Sequence, residues 1–186
     1  FCITIFIGSG YLIQPAWGQL KLDPERVSWS YLSFHAKNFW VAVSTDIQMN
    51  ALPASDLDSV LISAPEGVPI APQTSRAAEI MVNTTIKPRF RSTVKIVNRI
   101  WFDPSNAWAL GRVRLRRGED DFKKSYRFTQ QGVFRHRIEP EDKNEARLAP
   151  EKWTDIKDTF YSYNAEQLGC PVISERTVLI YIISAV

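Results

Sequence analysis

Apolar and polar positions alternate with a period of two over much of the chain, the pattern of strands with one face turned from water. Val27, Trp29 and Tyr31 share one parity, and Phe39, Val41, Val43, Thr45, Ile47 and Met49 follow, which predicts two strands between Val27 and Leu52 joined near Ala36 to Asn38. Ile80, Val82, Thr84 and Ile86 predict a strand stopped by Pro88. Val94, Ile96, Asn98, Ile100 and Phe102 predict another, stopped by the turn Asp103-Pro104-Ser105-Asn106. Strands then follow at hairpin spacing over Leu110 to Arg117, Phe122 to Thr129 and Val133 to Ile138, separated by Gly118-Glu119-Asp120-Asp121 and Gln130-Gln131-Gly132. With no helix between these strands, sequence neighbours should be neighbours in an antiparallel sheet, and a parallel dinucleotide-binding architecture is excluded.

Two segments break the alternation. Residues 53–78 carry Pro53, Pro65, Pro69 and Pro72 and read as a Pro-rich surface insertion holding at most one short helix, Asp56 to Ile62. Beyond Pro140 the spacing turns helical. Pro150 sits near a first turn, Trp153, Ile156, Lys157 and Phe160 fall on one helical stripe, and Asp155 and Asp158 stand i, i+3. Ser174 is placed to cap a second helix through Val178, Leu179, Ile182 and Ile183. The expected fold is mainly β: a curved antiparallel sheet, an open half-barrel, with C-terminal helices packed in its concavity.

The first residues, FCITIFIGSGYLI, are apolar, uncharged and much shorter than a membrane span, and Ala16 and Gly18 suit the −3 and −1 positions of a signal cleavage site. Residues 1–18 therefore read as a signal peptide, a buried N-terminal strand or helix being the alternative, and residues 19–186 as one β-rich domain. Thr177 to Val186 stops inside an apolar run with no cap, so the domain is expected to be truncated at its C-terminus. The segment Gln167-Leu168-Gly169-Cys170 matches a lipobox by coincidence, since that motif works only at the end of a signal peptide, and Cys170 reads as a small core residue. The expected location is the periplasm or envelope of a Gram-negative bacterium.

Composition adds little, but charge changes the picture. The chain has 186 residues, 45% hydrophobic, which suits one globular domain. Its net charge of +3 hides a segregation, with residues 87–137 carrying 14 Lys/Arg against 4 Asp/Glu while both flanks are acidic. Arg112, Arg114 and Arg116 must share one face of a strand, Arg135 and Arg137 repeat the spacing two strands on, and either Lys124 with Tyr126 or Lys123 with Arg127 lies between. Arg112, Arg114, Arg116, Lys124, Arg135 and Arg137 are the candidate anion- or partner-binding residues. One reading is a solvated face whose arginines cover apolar surface and pair with flanking acids. The other is contact with a lipid head group, an anionic glycan or an acidic protein, which guanidinium forks suit. Nucleic acid is not expected in an exported chain, nor do tryptophans and tyrosines interleave that face as a stacking platform requires.

Catalytic signals are sparse. His35 and His136 lie inside strand patterns and read as structural, and there is no nucleophile elbow, zinc-protease pair or phosphate-binding glycine loop. Glu119-Asp120-Asp121 lacks the alternating ligand spacing of a calcium loop. Nothing compels an enzyme, and neither a cofactor nor a metal is expected.

The hairpins of Asn98 to Phe102 and Arg112 to Ile138, with GEDDFKKSYRFTQQGVFRHR among them, and the helix start at Ser174-Glu175-Arg176-Thr177 give residues 27–186 a layout that resembles the periplasmic lipoprotein-carrier (LolA-like) fold and related exported families. The likeness is one of layout, and the Pro-rich excursion departs from it. It implies a concave apolar surface that receives acyl chains. Two functions follow as expectations: a binding or carrier module for a lipid-like or amphipathic ligand, with possible peripheral membrane contact, or an envelope interaction protein that docks an anionic partner on its basic face.

Overall fold

The structure, a computed structural model, describes residues 30–164. Eight strands form one antiparallel sheet in simple sequence order: β1 (Tyr31–Lys37), β2 (Val41–Pro53), β3 (Arg76–Pro88), β4 (Val94–Phe102), β5 (Ala109–Arg117), β6 (Phe122–Phe128), β7 (Gly132–Glu139) and β8 (Asp155–Ser162). The sheet is not closed, since β1 and β8 do not pair with one another. The foreseen turns lie close to where the sequence put them, the first one shifted, since Ala36 and Lys37 still belong to β1. Asn38 Oδ1 accepts from the amides of Trp40 and Val41 to make the β1–β2 turn, which leaves Phe39 in the turn and not in the strand its parity suggested. Buried Asp103 accepts from the amide and hydroxyl of Ser105 and, through its other oxygen, from the amide of Gln73, so one carboxylate fixes the β4–β5 turn and anchors the excursion to it.

The excursion is shorter than its prolines suggested and is not only surface. One helical turn, α1 (Leu57–Val60), seats Leu57 and Leu61 on Ala77, Trp101 and Leu110, all buried. A register shift at Trp101/Phe102 leaves Leu110 as the extra residue of a bulge, turned into this cluster. Leu61 packs so closely over Gly111 that a Cβ there would come within 2.3 Å of Leu61 Cδ2. On the same side of the sheet, the β7–β8 connection buries Trp153 beneath the Arg117 guanidinium, which donates to the carbonyls of Ala146 and Leu148.

One expectation fails outright. Trp153 to Phe160 is not a helix: a 3₁₀ turn over Pro150–Lys152 leads into β8, whose Ile156 faces Ile138 and whose Phe160 faces Phe134. The segment also carries Ile156, Asp158 and Phe160 on one parity with β-favouring Thr159, Phe160 and Tyr161 around them, and an open β7 edge decided between the two periods. Asp155 and Asp158 therefore point to opposite faces. The only α-helix among the described residues is α1, so C-terminal helices within a concavity are not part of this sheet. The signal peptide, the second helix from Ser174 and Cys170 lie outside the described residues.

Candidate anion-binding face

Register turns the strand pairings into rows. One row crosses the whole sheet on one face as Leu32, Ile47, Val82, Asn98, Arg114, Lys124, Arg137 and Lys157. The next reads Met49, Ile80, Ile100, Arg112, Tyr126, Arg135 and Thr159. A third brings Thr84 and Ile96 to Arg116 and Phe122. All six residues singled out in the sequence thus share one face in one block on β5 to β7, and of the two pairs offered for β6 it is Lys124 and Tyr126 that lie among the arginines. The same face over β2 to β4 is mostly apolar, with Ile80, Ile100 and Phe102 fully buried, and its polar members are buried Asn98 and the bonded pair Thr45 and Thr84.

Neighbouring strands run roughly 5 Å apart, so the cations of a row stand side by side, an arrangement that destabilises the bare sheet. The acids near them are few. Arg137 pairs with Glu139 through a short contact, Arg116 reaches Asp120 at 3.8 Å, Arg135 donates to Thr159 Oγ1 at 3.1 Å, and Arg112 reaches Asn98 Oδ1 at 3.5 Å. Arg114 and Lys124 have no acid or hydrogen-bond partner among the described residues; each stands over the Phe122 ring, at 5.5 and 4.2 Å. The Nε–H groups of Arg112, Arg114, Arg116, Arg135 and Arg137 are buried and have no hydrogen-bond partner among the described residues. Unmade hydrogen bonds at buried charged donors are costly, and five on one face make a set of donors without acceptors. Burial depresses the pKa of Lys124, and the charges of Arg137, Arg135 and Arg114 depress it further against the pull of Glu139.

Among the described residues Glu139, on Arg137, is the one flanking acid that forms an ion pair with this block. Glu151 pairs with Lys123 and Asp121 with Arg117, both on the opposite face, where Asp58 also meets Arg127 and Glu79 meets Arg99. Two tyrosines reach the face: Tyr126, one of the pair offered for β6, between Arg112 and Arg135, and Tyr161, which the sequence did not place there, under Arg135 with the guanidinium 5.1 Å from the ring centre. Their placement depends on register and could not be seen from spacing.

Register also sets Ser125, His136 and Asp158 in a row on the opposite face, and Asp158 bonds His136 Nδ1 at 2.5 Å. Ser125 makes no hydrogen bond to the ring, so the row is a His–Asp pair. His35 meets Ser33 on the exposed edge strand. Among the described residues no three metal-ligating side chains come together, and no helix is long and apolar enough to cross a membrane.

No protein-family model matches the chain, and no significant match was found to a curated protein or to a solved structure.

Proposed function

We propose that the chain is a non-enzymatic binding or carrier module for an amphipathic, lipid-like ligand with an anionic head, acting in the periplasm or envelope after export. In this reading the sheet curves into an open half-barrel of the lipoprotein-carrier kind, with the ligand against the face that carries both rows. The observation that supports it is the division of one sheet face: Ile47, Val82 and Ile100 on one side, and Arg112, Arg114, Lys124, Arg135 and Arg137 on the other, with arginine donors left unbonded. A phosphate or carboxylate would accept from those donors, and an acyl chain would lie along the apolar strands.

Denaturing extraction of freshly purified protein followed by mass spectrometry should release an acyl-bearing anion. Titration with alkyl phosphates of rising chain length should show affinity growing with each methylene, since each buried CH₂ contributes about 0.8 kcal/mol. The triple change R112Q/R114Q/R116Q should abolish the dependence on the head group and leave the fold intact. Affinity that ignores chain length would discard the lipid reading and leave the basic face as a dock for an acidic partner.

A further inference from the structure

We infer that the paired tips of the β1–β2 and β3–β4 hairpins are a membrane-insertion site that takes the interface of an anionic bilayer. The site uses none of the residues of the cationic face and does not rest on the carrier reading. Phe39, Trp40 and Phe90 are 66, 63 and 76% exposed, the three most exposed large apolar side chains among the described residues, and they stand together at one corner of the sheet. Trp40 meets Phe39 edge-on at 5.0 Å and Phe90 at 6.2 Å, so the three rings make one cluster. An isolated exposed aromatic is ordinary, whereas a cluster of three held out from the end of a sheet marks a contact surface.

The tips are built to hold this shape. The Asn38 side chain accepts from the amides of Trp40 and Val41, and the Arg89 amide donates to the Trp40 carbonyl at 2.9 Å, which ties one hairpin end to the other. The Arg89 guanidinium lies 4.0 Å from the Phe39 ring centre and 5.5 Å from that of Phe90. The rings therefore need little ordering on contact, which favours binding.

Charge complementarity chooses the occupant. Lys37, Lys87, Arg89 and Arg91 are exposed at or next to these tips, and neither turn contains an acid. The next tip at that end, Glu119 to Asp121, is acidic, but Asp120 and Asp121 face Arg116 and Arg117. Trp and Phe with a collar of Lys and Arg match the two layers of a bilayer surface, the rings at the level of the glycerol and carbonyl groups and the cations at the phosphates. A protein partner would need area beyond three rings to bind stably.

The test is flotation of the whole protein with vesicles of pure phosphatidylcholine and of phosphatidylcholine containing phosphatidylglycerol, at low and high salt, with brominated acyl chains to quench tryptophan at shallow depth. The chain should bind the anionic vesicles and show quenching, and binding should fall about fivefold for each of Lys87, Arg89 and Arg91 changed to Gln. F39A/W40A/F90A should lose binding at least tenfold with an unchanged melting curve, W40F should bind but lose most of the quenching, and R112Q/R114Q/R116Q should still bind. Undiminished flotation of F39A/W40A/F90A overturns the proposal, as does quenching unchanged in W40F. Failure of the unmodified protein to bind anionic vesicles at low salt does so too. Loss of self-association in sedimentation, in place of loss of vesicle binding, would assign the tips to a second copy of the chain. Failure of the alkyl phosphate titration alone leaves this site standing.

Discussion

Single atoms in this sheet set limits that composition does not reveal. Tyr163, just past β8, buries a hydroxyl with no hydrogen-bond partner among the described residues, and burial pushes its pKa up to about 12 from 10.0. The folded chain keeps that proton after the unfolded chain has released it, so the contribution to stability is whole below pH about 10 and is lost as pH rises through 12. Y163F should flatten the fall in melting temperature across that window and, by removing an unbonded buried hydroxyl, leave neutral-pH stability unchanged or higher by up to about 1 kcal/mol. A phenolate absorbance titration reads the same group directly. Gly118 is a second such point, at φ +122° with the Thr93 carbonyl 2.3 Å from where a Cβ would sit. G118A should cost about 1–3 kcal/mol in urea unfolding, because both the backbone angle and the neighbouring strand end would have to shift.

At the scale of elements, stability on the face opposite the cations depends on α1, a single turn too short to persist by itself. What holds it is Leu57 and Leu61 against Trp101 and Leu110, with Asp58 on the Arg127 guanidinium at 3.1 Å. L61A should cost about 2–5 kcal/mol by urea unfolding, and it should lower the cost of G111A because both Leu61 methyls are gone and only the Tyr126 carbonyl, 3.1 Å from a Cβ at 111, still crowds it. The strands β2 to β7 were legible from alternation, their ends from Pro88, Asp103 and Gly118, since hairpin neighbours supply each other's bonds and little else competes. The excursion's docking was not legible, as Leu57 and Leu61 read equally well as part of a free amphipathic turn. β8 was misread for a related reason. Trp153, Ile156 and Phe160 satisfy a helical stripe, while Ile156, Asp158 and Phe160 satisfy a strand, and the deciding partner is the open edge of β7, which lies 18 residues back in sequence (156 − 138) at the Ile138–Ile156 pairing.

For the molecule as a whole, the six cations illustrate where sequence reasoning stops. That Arg112, Arg114 and Arg116 share a face follows from the period of a strand, and that Arg135 and Arg137 join them follows from short turns. Whether β6 offers Lys124 or Lys123 depends on a one-residue choice of register that no local rule settles. That the same face continues as Val82 and Ile47 needs every strand pairing at once. Nor does composition reveal that, of the flanking acids, Asp58, Glu79 and Glu151 serve the other face while Glu139 alone pairs with the block. Lys124 is the test of what this concentration of charge is for. Its folded pKa lies below the unfolded value of 10.5, so the folded chain holds that proton less well, and stability should rise with pH through the window between the two values. K124Q should then stabilise the ligand-free protein at neutral pH by about 0.5 kcal/mol at low salt, less at high salt, because it removes a charge that Arg114, Arg135 and Arg137 repel. The same change should weaken anion binding, read by the shift in melting temperature that inorganic phosphate produces beyond sodium chloride of equal ionic strength. A surface that serves only solvation gives up nothing when a repelling charge is removed. If K124Q is more stable and phosphate protects it as well as it protects the unmodified chain, the cations are not a ligand site; if stability rises while protection falls, the sheet keeps Lys124 at a cost that only a bound anion relieves.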